Sequence, residues 1–115
     1  MPAFSVSPDV GAGAVLANAL AGSAFEFLSR DSRVIIAMNA EVAYEMTATI
    51  QYGSEVQLEE GVVPVEPAVG AGPHFPDDVI CDEVGAAGDR LVVRLTNAGA
   101  APGHCNIKVR VIPIG

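Results

Sequence analysis

The chain has 115 residues, the size of one domain, and half of them are apolar against 17% charged, which excludes an intrinsically disordered chain. Its formal charge of −8 works against binding to phosphate backbones and to anionic membrane surfaces. With four Phe, two Tyr and no Trp, most of the packing falls to Ala, Val and Ile.

Twelve Gly and eight Pro are spread along the chain and cut it into short pieces, a pattern of strands and turns rather than long helices. Residues 1–24 read as an irregular N-terminal segment of a single domain covering 1–115. Within it, Ala3–Ser7 reads as a strand ended by Pro8-Asp9, and Ala14–Leu20 fits either a helix or a short strand. The uncharged run Val10–Phe25 is shorter than the ~20 residues of a membrane helix. Asp9 precedes it with no Lys or Arg, so no export signal is expected. Phe25–Leu28 alternates as a strand, Arg30-Asp31-Ser32 as a turn. Val34–Met38 is a continuous apolar run, as in a strand buried on both faces.

Ala43–Tyr52 has a period of two. Tyr44, Met46, Ala48, Ile50 and Tyr52 share one face, and Glu45, Thr47, Thr49 and Gln51 the other. A three-residue loop, Gly53–Glu55, then sets Tyr52 opposite Val56 and Ile50 opposite Leu58, keeping apolar with apolar. Pro64, Pro67, Pro73 and Pro76 make Gly61–Pro76 a long loop or edge segment, with only Val62–Val65 regular. Val79–Cys81 is a short strand. The last two strands read as a hairpin. In the first, Leu91, Val93 and Leu95 alternate with Arg90, Val92, Arg94 and Thr96. In the second, Cys105, Ile107, Val109 and Val111 alternate with Asn106, Lys108 and Arg110. About eight short strands joined by turns predict an all-β fold, an antiparallel β-sandwich or jelly roll.

Charge is segregated. Between Val34 and Gly88 stand ten acidic residues and no Lys or Arg. A hairpin would gather Arg90, Arg94, Lys108 and Arg110 on one outer face, either a solvated surface or a contact face for an acidic loop of a neighbour.

Sites of chemistry are sparse. Asp77, Asp78, Asp82 and Glu83 supply oxygens of the kind calcium takes, without the spacing of an EF-hand loop, and read better as a solvated acidic turn. Glu59-Glu60, adjacent on a strand, point to opposite faces and make a poor acid–base pair. His74, His104, Cys81 and Cys105 fit no zinc spacing. Cys105 beside His104 has the phase of a core thiol, and the two cysteines read as buried and free. A bridge between them would close a loop of about 25 residues, contributing about 3 kcal/mol. No G-x-S-x-G elbow or phosphate loop is present. No catalytic residue, cofactor site or metal site is expected.

Phe25-Glu26-Phe27-Leu28 before an apolar strand resembles small bacteriophage virion structural proteins. So do Gly53-Ser54-Glu55-Val56 with Glu59-Glu60-Gly61, Phe75-Pro76-Asp77-Asp78, Ala87-Gly88-Asp89-Arg90-Leu91 and the closing Asn106–Val111. The resemblance spans roughly residues 25–112. It implies a decoration, minor capsid or small jelly-roll shell protein of the virion, homo-oligomeric or docked on other capsid proteins, with no catalytic residues to carry over. Two rivals stand beside it. One is a carbohydrate- or ligand-binding module using rings among Tyr44, Tyr52, Phe25, Phe27 and Phe75. The other is a small hydrolase or isomerase using Glu59 or Asp78.

Overall fold

The computed structural model describes residues 3–6, 8–11, 13–22, 26–40, 46–63, 79–98 and 103–114. They form nine strands and no helix: β1 (Ala3–Val6), β2 (Asp9–Val10), β3 (Val15–Leu16), β4 (Ser32–Ala40), β5 (Met46–Tyr52), β6 (Glu55–Val62), β7 (Val79–Gly85), β8 (Leu91–Asn97) and β9 (Gly103–Pro113). No helix there is long and apolar enough to cross a membrane. Two antiparallel sheets result. The larger has the order β1-β9-β4-β7, with β2 following β1 along the same edge of β9, and the smaller has the order β3-β8-β5-β6.

With β1 and β2 counted as one interrupted strand, the pairing is first with last, second with seventh, third with sixth and fourth with fifth. That is an antiparallel ribbon rolled up so that β4 also meets β9 and β5 also meets β8, the topology of a jelly roll. The interruption falls at Pro8, which has no N–H to give a ladder. Its carbonyl still accepts from the Cys105 amide at 3.1 Å.

The sheets share one core. Val34, Ile36 and Met38 of β4 and Ile107 and Val109 of β9 pack against Met46 and Ile50 of β5 and Leu91, Val93 and Leu95 of β8. The alternation expected of β5 holds throughout, with Met46, Ala48, Ile50 and Tyr52 buried. β4 is buried on both faces, as its unbroken apolar run implies, since Ala37 and Asn39 are as inaccessible as their inward neighbours and Ile35 is nearly so. On that outer side Asn106 of β9 donates to the Asn39 side-chain oxygen at 2.9 Å. Tyr52 ties the layers together: its hydroxyl, 3.1 Å from the Val34 carbonyl, donates to it from the opposite sheet.

Several expectations are corrected. β8 and β9 form no hairpin; they lie in different sheets. Alternation dictates which side of a strand faces the core, and this pattern suits facing strands as well as paired ones. The β5–β6 turn has two central residues, not three: Tyr52 pairs with Glu55, and Gly53 takes the positive φ of 61° suited to the first position of such a turn. Gln57 is then bulged out, which brings Ile50 opposite Leu58 after all, while Val56 falls opposite Gln51 instead of Tyr52. Of the expected strand Phe25–Leu28, the described residues 26–28 contribute a single bridge, Phe27 to Arg90. The N-terminal segment is more regular than expected, holding β1, β2 and β3, and Ala14–Leu20 contains the two-residue β3 and no helix. β7 outruns the expected Val79–Cys81 by four residues, to Gly85. Tyr44 and most of the Pro-rich segment lie outside the described residues.

Candidate contact face

The small sheet has one face in the core and one turned outward. Partners across a ladder share a face, so the pairings define rows on the outer side. Val15 and Thr96 sit beside Thr47 and Val62. Arg94 sits beside Thr49, and Glu59 lies on the far side of Thr49, in a second bulge between the Ala48–Gly61 and Ile50–Leu58 pairs. Val92 sits beside Gln51 and Val56, and Arg90 beside Phe27.

This face is mixed, with large apolar side chains exposed among its polar ones. Phe27, Val15, Val62 and Val56 are exposed by 54–59%, and they make up most of the large apolar side chains exposed among the described residues. A groove of about 400 Å³ runs across it, with Val92, Val56 and Ala17 as apolar lining and Thr49, Gln51, Glu59 and Arg94 as polar lining. An Arg94 guanidinium nitrogen lies 3.5 Å from the Thr49 hydroxyl, a long contact. Neither Arg94 nor Glu59 has an ion-pair partner among the described residues. Arg90 does: its Nε donates to Glu26 at 2.7 Å. The Glu26 carboxyl is held below the ordinary glutamate range, first by the Gly22 amide that donates to its other oxygen and then by Arg90.

The expected basic strip is therefore split. Arg90 and Arg94 belong to the outer face of the small sheet. Lys108 and Arg110, alternating with buried Ile107, Val109 and Val111, face outward from the large sheet on the opposite side of the sandwich. The four cations do not form one surface.

The acidic group around β7 is likewise dispersed. Asp82 accepts a two-pronged bond from Arg33 of β4, at 2.8 and 2.6 Å, which holds its carboxyl below the ordinary range. Glu83, the next residue on the strand, points to the other side. Asp77, Asp78 and His74 lie outside the described residues, as does the side chain of His104. Among the described residues, no three His, Cys, Asp or Glu side chains come together in a way that would hold a metal ion. Both cysteines are buried and free, on strands separated by β4. Burial pushes the Cys105 thiol up to about 12 and also raises Cys81. Cys81 lies 3.4 Å from the Tyr52 hydroxyl. A nucleophile needs the thiolate, so these are core fillers.

Thr49 and Gln51 were legible as the polar face of β5, but their part in a groove was not. The available signal was Val92, an outward valine between two arginines. Comparison with protein-family models, with curated proteins and with solved structures finds no match to this chain.

Proposed function

We propose that this chain is a virion structural protein, a decoration, minor capsid or small shell component, that acts by self-association and docking through the outer face of its small sheet. The observation that carries the reading is that Phe27, Val15, Val62 and Val56, four of the six large apolar side chains exposed among the described residues, all stand on that one face. Large apolar side chains left exposed on one face, when few stand exposed elsewhere among the described residues, favour that face as a contact side. The resemblance of Phe25–Leu28 and the later segments supplies the virion setting. The rolled-up topology suits it, since jelly rolls build viral shells, although the same fold serves lectins, so fold alone does not choose. Light scattering across a concentration and salt series tests the proposal. A mass above the monomer that grows with concentration supports it. A monomer throughout that also fails to bind assembled shells sinks it.

One observation favours a second reading. The groove presents an arginine, a carboxylate, a hydroxyl and an amide beside Val92, Val56 and Ala17, with the Phe27 ring exposed on the same face. That is the composition of a small-ligand cleft. Glycan-array binding lost on Phe27→Ala would select this module over the structural protein.

A further inference from the structure

The outer face of the small sheet is self-complementary, and its rows show how. β5 is central, with β8 on one side and β6 on the other. Across these strands the rows run Arg94, Thr49, Glu59; then Val92, Gln51, Val56; then Thr96, Thr47, Val62. Rotation by half a turn about a line along β5, lying in the plane of contact, preserves each row and exchanges β8 with β6. Arg94 then meets the partner's Glu59, and Glu59 the partner's Arg94. Val92 meets Val56, Thr96 meets Val62, and Thr49 and Gln51 meet their own copies. Such an axis places opposite charge on opposite charge and Val92 on Val56 in the same operation, each contact made twice as in an isologous interface. An axis along β8 would instead stack Arg94 on its own copy.

Within the chain, Arg94 and Glu59 stand on either side of β5, about 10 Å apart by two strand spacings. They are not ion-paired with each other, so both charges face outward. Sheets packed face to face lie about 10 Å apart, a gap that an Arg and a Glu side chain reaching toward each other can bridge.

We infer that the partner on this face is a second copy of the chain, joined about a two-fold axis along β5 by reciprocal Arg94–Glu59 pairs over a Val92–Val56 contact. This rests on the self-association reading above and names its partner and register.

The test uses the full chain in sedimentation equilibrium at low salt. The wild-type chain dimerises, and Arg94→Glu or Glu59→Arg alone weakens the dimer at least about tenfold, because each substitution sets like charges opposite at two places. An equimolar mixture of the two single variants restores dimerisation to near the wild-type level, since both contacts in the mixed dimer are again opposite in sign. A folding defect in either variant would not be cured by mixing. Gln51→Cys provides a second measurement: lying on the axis, it is joined to its own copy by a short bismaleimide, whereas Val84→Cys, exposed on β7 of the large sheet, is not. If the wild type assembles but neither substitution changes it, or the mixture stays monomeric, this interface is wrong and self-association stands. If the wild type is monomeric throughout, both fall.

Discussion

Tyr52 does more than fill space. A buried hydroxyl must find a partner, and this one finds the Val34 carbonyl across the core and the Cys81 sulfur beside it. Burial first, then the Cys81 contact, drives its ionisation far above the ordinary tyrosine value, so it stays a neutral donor. Tyr52→Phe keeps the ring and loses both inter-sheet hydrogen bonds of the hydroxyl, the one to sulfur being weak. The expected cost is about 1 kcal/mol, read as a lower urea midpoint with unchanged slope. The thiols give a second expectation at this scale. With Cys105 raised to about 12 and wholly buried, and Cys81 also raised, an aromatic disulfide reagent should label neither in the folded protein. Labelling should appear only under denaturant, and rapid reaction of the native protein would mean that the core opens at these positions.

At the scale of the element, one side chain helps the neighbouring backbone to complete the edge of β8. β3 covers β8 for only two residues, at Thr96 and Leu95. Beyond it the Asn18 amide continues the ladder: its nitrogen donates to the Leu91 carbonyl at 3.2 Å and its oxygen accepts from the Val93 amide at 3.1 Å. The same oxygen accepts from the Leu20 amide at 3.0 Å. Asn18→Ala removes all three bonds, and an expected loss of about 2 kcal/mol follows from about 1 kcal/mol per bond, discounted for water reaching the edge. Asn18→Asp keeps the acceptor half and should lie between, in the same urea titration. Nothing in Ala14–Leu20 announces this, because a side chain acting as a strand leaves no periodicity. What leaves a period was readable: the buried face of β5, both faces of β4 and the inward phase of Cys105. The Ile50–Leu58 pairing was also readable, but not the bulge at Gln57 that produces it, since apolar matching records the outcome and not the turn.

For the whole molecule, the decisive fact lies outside any local pattern. The first strand pairs with the last, so most neighbours are distant in sequence, and the basic residues that alternation placed on one hairpin end on opposite sides of the sandwich. The groove was hidden for the same reason, because its residues come from β5, β6, β8 and, at Ala17, the segment after β3, and meet only once the ribbon is rolled. Ion pairs of Glu26 with Arg90 and of Asp82 with Arg33 also tie the roll. Both carboxyls titrate lower in the folded chain than in the unfolded one. On acidification the unfolded chain therefore takes up these protons first. The stabilisation is fully present above the unfolded carboxylate range, near about pH 4, and is lost as pH falls through the lower folded values. Relief of the −8 self-repulsion works in the opposite sense over the same range and acts on every carboxylate. A single stability curve would mix the two effects, so the informative quantity is a difference. The gap in urea midpoint between the wild type and the Glu26→Gln, Asp82→Asn double variant should be constant above about pH 5 and close as pH falls toward about 2. General repulsion largely cancels in that gap. A gap that stays constant across the whole range would show that neither ion pair is coupled to folding.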